Sequence, residues 1–338
     1  DGVSLNLPGF DLASLGLRGR WEEVGGSFVI DPPSGVETRG VIQFFGGAFV
    51  GAAPHLSYRF LLESMADEGF SVVATPYKLS FDYLRVCAQA EAASALALAR
   101  YPASLPVVSV GHSAGSLLHL LSDSLFRNET RAATVLLCYN NRPAEGAIPL
   151  GAVSPFAKVL NDKGPVQDAM RDAAGRARKI AEDATLEVAA SGVAPKSFGG
   201  EFLSLAAEGF EVVEQIPSLF IDVAEGSEEF FPTVDENKKL FKASYPKEVP
   251  TLLLGFEGDF FDDTDILAPL LVAAGCDTTV PKRLKGSHGT PLTQDPLIST
   301  PFDSFDPLLP LRRTARQKLI KPMWDMRESI LTFIDKHV

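Results

Sequence analysis

The stretch that decides the fold is residues 106–120, which read PVVSVGHSAGSLLHL. The apolar run at 107–110 predicts a buried strand, and residues 114–126 have the pattern of a helix. Between them, residues 111–115 fit the pattern G-x-S-x-G. Glycines at those positions allow a sharp strand-to-helix turn with close packing on both sides. We therefore expect a nucleophile elbow with Ser113 at its tip, facing the N-terminus of a helix that favours negative charge.

Short apolar runs and longer helical segments alternate on both sides of this stretch. Continuous apolar strands that alternate with helices predict a mainly parallel sheet with helices on both faces. The predicted strands are residues 27–30, 41–45, 71–74, 107–110, 133–139, 251–254 and 280–284. The predicted helices are residues 56–68, 83–100, 114–126, 266–274 and 313–337. With the elbow, this order predicts the α/β-hydrolase fold.

The alternation is interrupted between residues 143 and 247, where a mixed-charge helical stretch at 166–190 precedes an ambiguous apolar run at 219–223. We expect a helical lid insertion there. The expected organisation is an N-terminal arm at 1–20, a first core half at 21–142, a lid at 143–247 and a second core half at 248–338. The apolar arm is interpreted either as packed on the domain or as an anchor to a partner or membrane.

Composition excludes several classes of protein. The chain has 338 residues and a formal charge of −12, so we expect no nucleic-acid partner, because an acidic surface repels phosphate. Its three cysteines include no C-x-x-C pair, which argues against a zinc site or a disulfide framework. No apolar stretch is long enough to span a membrane. No metal-ligand spacing or dinucleotide fingerprint is present, so we expect no metal and no cofactor.

A serine hydroxyl needs an acid and a base, and in α/β-hydrolases the acid follows the serine in the chain and the histidine base follows the acid. His288 lies on a loop after the last predicted strand and is the expected base, whereas His337 is near the end of a helix. Asp259, after the strand at 251–254, is the expected acid, and Asp262 on the same loop is the alternative. His112 and His119 are expected to be packing residues.

The oxyanion hole requires two backbone N–H groups. One should come from Ala114, directly after the nucleophile. The other should come from the glycine-rich loop at residues 46–51, where Ala48 or Phe49 is the expected donor. His55, beyond this loop, is a further candidate for lining the pocket.

Several of these stretches together resemble one family, an α/β-hydrolase-like family of uncharacterised function found in cyanobacteria and in plastids. They are residues 46–51, 74–77, 111–115, 259–264, 286–288 and 290–291. The resemblance covers residues 20–300. It implies the α/β-hydrolase fold and a photosynthetic, plastid setting, and it supplies no substrate.

The main functional hypothesis is a serine hydrolase that cleaves a small-molecule ester or thioester through an acyl-enzyme. Aromatic residues near the insertion suit a lipid-like acyl chain or, alternatively, the core of the lid: Phe198, Phe202, Phe210, Phe230 and Phe231. Acyl transfer to an alcohol would use the same site. The alternative hypothesis is a non-catalytic subunit or assembly factor, peripherally associated with a photosynthetic membrane complex.

Overall fold

The computed structural model describes residues 20–48, 50–126, 131–144, 222, 227–294 and 309–338. These residues form an eight-stranded sheet in the order β1-β2-β4-β3-β5-β6-β7-β8. The strands are β1 (Glu22–Val24), β2 (Ser27–Ile30), β3 (Gly40–Phe45), β4 (Phe70–Ala74), β5 (Val107–His112), β6 (Arg131–Leu137), β7 (Thr251–Leu254) and β8 (Thr278–Thr279). β1 and β2 are antiparallel to their neighbours, and every pairing from β4 to β8 is parallel.

Helices cover both faces of the sheet, as the sequence predicts. They are α1 (Pro54–Ser57), α2 (Arg59–Asp67), α3 (Tyr83–Leu98), α4 (Ala114–Phe126), α5 (Val234–Ser244), α6 (Thr264–Ala273) and α7 (Leu309–His337). Side chains of α2 and α7 form one apolar core with alternate residues of the central strands. Side chains of α3, α4, α5 and α6 form the other core on the opposite face. The predicted class, a mostly parallel α/β sheet with helices on both sides, is confirmed.

Two predicted elements differ in detail from the structure, and one strand was not predicted. The helix predicted at 56–68 is two helices, with Tyr58 at the break between α1 and α2. The edge hairpin strand β1 was not predicted, because its two glutamates are exposed and give no apolar signal. The strand predicted at 280–284 is wrong: β8 covers only Thr278–Thr279. Pro281 lacks an N–H group, and the following residues keep only one isolated bridge, from Leu284 to Phe256.

Most of the predicted lid and all but Arg20 of the predicted arm lie outside the described residues. The end of the predicted insertion is described, and its helix α5 begins with a capping box formed by Thr233 and Glu236. Phe241 of α5 is buried in the core against the sheet. Phe230 is also buried, packed against Phe81 and Tyr83, whereas Phe231 is exposed. No helix in the described ranges has the length and apolar character needed to cross a bilayer.

Candidate active site

The turn that joins β5 to α4 has the backbone of a nucleophile elbow. Ser113 has a φ of 55°, a left-handed conformation that costs energy in a residue with a side chain. A Cβ on Gly115 would lie 2.0 Å from the carbonyl oxygen of Phe45, and one on Gly111 would lie 2.6 Å from the carbonyl oxygen of Gly115. The two glycines of the motif are therefore required by close backbone packing. The Ser113 amide donates to the carbonyl of Leu137, at the end of β6.

The carboxyl ends of β5, β6 and β7 bring the expected acid and base together near this turn. Nδ1 of His288 lies 2.8 Å from Oδ2 of Asp259. Nearby, the amide of Phe261 donates to the other carboxylate oxygen at 2.9 Å, and the thiol of Cys138 lies beside this carboxylate. The ring of His288 lies 4.8 Å, between centroids, from the ring of His112, the residue before Ser113.

The electrostatic environment keeps the Asp259 carboxylate ionised. Burial by itself would raise the pKa of Asp259, but the hydrogen bond and charge of His288 and the amide of Phe261 outweigh burial. The pKa of Asp259 therefore lies below its ordinary value. An ionised carboxylate on Nδ1 leaves Nε2 of His288 as the nitrogen that can accept a proton. Among the described contacts, no hydrogen bond joins the Ser113 hydroxyl to His288.

The alternative acid, Asp262, has different partners. Its carboxylate accepts from Nη1 of Arg283 at 2.6 Å and from the amide of Thr264 at 2.8 Å, and it also bonds to the Thr264 hydroxyl. Burial raises the pKa of Asp262, and the bonds from Thr264 and the charge of Arg283 act in the opposite direction. The structure thus places Asp262 in an ion pair at the sheet edge and not on His288.

One expected oxyanion donor directly follows Ser113, and the other belongs to the glycine-rich loop. Ala114 is the first residue of α4, and its amide donates to no described residue. On the glycine-rich loop, the amide of Gly47 is already bonded to the hydroxyl of Tyr58 at 2.7 Å. The amide of Ala48 donates to no described residue. Phe49, the other candidate on that loop, lies outside the described residues.

Two residues that the sequence did not single out belong to this site. Tyr58 is fully buried, and its hydroxyl lies 2.8 Å from Nδ1 of His112. Cys138 follows β6, has a φ of 49°, and touches the acid. His112 was expected only to pack, yet both of its ring nitrogens form hydrogen bonds. The positive φ of Cys138 could not be predicted from sequence. Its position at the end of an apolar run, at the sheet edge where Ser113 and Asp259 were expected, could have indicated that Cys138 lies in the site.

His119 and His55 both pack against aromatic rings. His119 stacks on Phe45 and bonds to the carbonyl of Val110, which agrees with a packing role. His55 stacks on Phe28 with ring centroids 3.4 Å apart. Its ring thus packs against β2, and a role in lining the pocket stays a prediction.

Three side chains offer the closest approach to a metal site in the described part of the chain. Ligand atoms of His112, Cys138 and His288 lie within 4.8 Å of one another. Both nitrogens of His112 are already hydrogen-bonded, and burial raises the pKa of the Cys138 thiol well above its ordinary value. A metal would need an unbonded imidazole nitrogen and a thiolate. The group therefore fits a hydrogen-bonded site better than a metal centre.

Solved structures share the fold at low sequence identity. A lipase in an open form has a TM-score of 0.50 and 14% identity, and the match covers 94% of this chain and 97% of that one. DcsB in complex with its substrate analogue has a TM-score of 0.50 and 13% identity, covering 92% of this chain and 94% of the other. At such identities the likeness establishes the fold alone, which is the α/β-hydrolase fold.

Sequence comparison identifies the family without a reaction. No curated protein matches the chain significantly. One family model, described as a protein of unknown function (DUF1350), matches residues 20–336. Nothing in that description gives a location, so the plastid setting and the photosynthetic partner stay predictions. Because the match spans nearly the whole sequence, the chain belongs to the DUF1350 family.

Proposed function

We propose that this protein is a serine hydrolase that cleaves an ester or thioester, with Ser113 as nucleophile, His288 as base and Asp259 as acid. The observation that carries the proposal is the 2.8 Å hydrogen bond between His288 and Asp259 beside an elbow whose serine has a φ of 55°. The three residues also follow one another in the chain as nucleophile, acid and base, which is the order of α/β-hydrolases.

In the proposed reaction, the Ser113 hydroxyl attacks the carbonyl carbon of the substrate and passes its proton to Nε2 of His288. The negative oxygen of the tetrahedral intermediate accepts hydrogen bonds from the amides of Ala114 and Ala48. His288 then protonates the leaving alcohol or thiol, which leaves an acyl group on Ser113. Water, deprotonated by His288, then attacks the acyl carbon; the bond to Ser113 breaks, the carboxylic acid is released, and His288 returns the proton to the serine oxygen.

Asp259 supports this cycle from the far side of the ring. Its ionised carboxylate fixes the proton of His288 on Nδ1 and stabilises the imidazolium that forms when the serine proton is taken up. The preference for Asp259 over Asp262 rests on their partners, since Asp262 already neutralises Arg283. Closure of the Ser113–His288 hydrogen bond is expected on substrate binding, as catalytic contacts commonly tighten in the complex.

A fluorophosphonate probe tests the proposal, because it forms a covalent bond only with an activated serine. We expect the wild type to be labelled at Ser113, and Ser113→Ala to give no label. Ser122→Ala is the matched control, since Ser122 is a buried serine on α4, the helix that follows Ser113, and it should label like the wild type. A folded wild type that takes up no probe would overturn the proposal.

The same probe decides the acid. Asp259→Asn should lower the labelling rate by roughly a hundredfold or more, because the His288 tautomer is no longer fixed. Asp262→Asn should change that rate little, although it loses a partner of Arg283. The opposite ranking of these two variants would assign the acid to Asp262.

A further inference from the structure

A chain of buried hydrogen bonds connects the glycine-rich loop to the loop of the base. It begins at the amide of Gly47, which donates to the hydroxyl oxygen of Tyr58 at 2.7 Å. The Tyr58 hydroxyl lies 2.8 Å from Nδ1 of His112. Nε2 of His112 in turn lies 3.0 Å from the backbone carbonyl of His288. Four residues distant in sequence are thus linked by three bonds.

The direction of every bond in this chain is determined by its ends. The carbonyl of His288 can only accept, so Nε2 of His112 must carry a proton. Burial lowers the pKa of His112 to about 3, so its ring is neutral near pH 7 and Nδ1 is an acceptor. Tyr58 has one hydroxyl proton, and it must point to Nδ1. The Tyr58 oxygen then accepts from Gly47, which can only donate.

The chain also passes directly beside the nucleophile. His112 immediately precedes Ser113, and a Cβ on Gly47 would lie 3.1 Å from Nδ1 of His112 and 3.3 Å from Cβ of Ser113. Tyr58 is itself held by the apolar core, where its ring packs edge-on against Phe44 at 4.7 Å. Because Tyr58 and His112 are almost fully buried, water cannot replace either partner, and loss of one link leaves a polar group unsatisfied.

We propose that Tyr58 and His112 are positioning residues that fix the distance between the oxyanion loop and the loop carrying His288. This inference rests on the proposed function, since it concerns the spacing of the Ala48 amide and the His288 imidazole around Ser113. Gly47 precedes the oxyanion donor, and the carbonyl at the other end belongs to the base itself. Neither Tyr58 nor His112 touches the reacting atoms; both act through the residues that do.

The wild type offers a spectroscopic test that needs no turnover. Selective ¹⁵N labelling of the five histidines gives few enough signals for imidazole NMR. We expect His112, assigned by its loss in His112→Gln, to be protonated on Nε2 only and to keep that signature from pH 5 to pH 9. A His112 ring that carries its proton on Nδ1, or that titrates in this range, would overturn the hydrogen-bond chain.

The functional test compares two buried tyrosines by fluorophosphonate labelling. Tyr58→Phe removes the central hydroxyl of the chain and should lower the labelling rate at saturating probe by roughly tenfold to a hundredfold, with little change in half-saturating concentration. Tyr245→Phe is the matched control, because Tyr245 is also buried and bonds to Thr251 at 2.8 Å, at the opposite end of the sheet. It should label within about twofold of the wild type.

A second pair covers the case in which Tyr58→Phe does not fold. His112→Gln keeps a donor for the His288 carbonyl but breaks the bond to Tyr58, and it should also slow labelling. His119→Gln is its control, since His119 is a buried histidine whose Nε2 bonds to the Val110 carbonyl and which takes no part in this chain of hydrogen bonds. Equal labelling rates within either pair of folded variants would overturn this inference alone. An unlabelled wild type would overturn the proposed function instead, and the positioning role with it.

Discussion

The buried histidines predict how the stability of this protein responds to acid. Burial lowers the pKa of His112 from 6.5 to about 3 and that of His55 to about 4, and it lowers the pKa of His119 well below its ordinary value. In the unfolded chain each of these rings titrates near its ordinary value. Because the native pKa lies below the unfolded one, the unfolded chain binds more protons as the pH falls. Stability is therefore highest above about pH 6.5 and decreases towards the native pKa.

The size of the effect for His112 follows from these two pKa values. Between pH 7 and pH 5 the unfolded ring takes up most of a proton, whereas the native ring, with a pKa of about 3, takes up almost none. Integration over that range gives a loss of about 2 kcal/mol for this one histidine. The net stability of folded proteins is typically about 5–15 kcal/mol, so this one histidine accounts for a substantial share of it. Most carboxylates titrate below this window, and those with a raised pKa, such as Asp262, are the same in the wild type and in a histidine variant, so their contribution cancels in the comparison.

Equilibrium urea unfolding at pH 7, 6 and 5 measures this loss in the wild type and in His112→Gln. Whatever its stability at pH 7, the variant should lose about 2 kcal/mol less than the wild type on going to pH 5. His119→Gln should also lose less stability than the wild type between pH 7 and pH 5, since the His119 ring is likewise buried and neutral. If the stability of His112→Gln and of the wild type fell in parallel with pH, the assignment of His112 as a neutral native group would be refuted.

Two further predictions concern packing and charge around the site. Gly115→Ala should destabilise the fold by about 4 kcal/mol or more, or prevent soluble expression, because the new methyl group would lie 2.0 Å from a backbone oxygen. Gly289→Ala is the control: the nearest atom to its methyl group would be 3.9 Å away, so the thermal midpoint should stay almost unchanged. Arg283→Gln should lower the free energy of unfolding in urea by roughly 2–3 kcal/mol, because it leaves the Asp262 carboxylate unpaired. The loss is smaller than for a fully buried ion pair, since the guanidinium is 28% exposed, and adding Asp262→Asn should recover part of it.

Elements with a strong local pattern were predicted closely from sequence. The strands Ser27–Ile30 and Thr251–Leu254 and the helix Ala114–Phe126 have the predicted bounds, because each is buried on the faces that its apolar residues indicate. The last strand was misplaced because the apolar residues at 280 and 284 flank Pro281, Lys282 and Arg283, which suit an edge but not a paired strand. Pairing with β7 ended earlier than the apolar pattern suggested.

The sequence predicted at which edge of the sheet the site residues lie, but not which side chains bond to one another there. Parallel strands end at one edge of the sheet, so residues placed after β5 and β7 were expected to meet there. Asp259 and Asp262 follow the same strand and have the same chemistry, and they differ in their partners: His288 lies on Asp259 and Arg283 on Asp262. The position of Arg283 depends on the register of a chain segment about 20 residues further on, which no local pattern contains.

The Tyr58–His112 link shows why buried polar contacts are the hardest feature to derive from sequence. Tyr58 precedes α2 in an apolar segment, and nothing local separates it from a tyrosine that only packs. Its role arises because β3 and β5 are neighbours, which places the loop at Gly47 against the elbow. Burial then removes water as a competitor and forces each donor to find one acceptor, so the chain from Gly47 to His288 has a single proton arrangement. An arrangement with no alternative is rigid, and rigidity is what a site needs when an oxyanion donor and a base lie on separate loops.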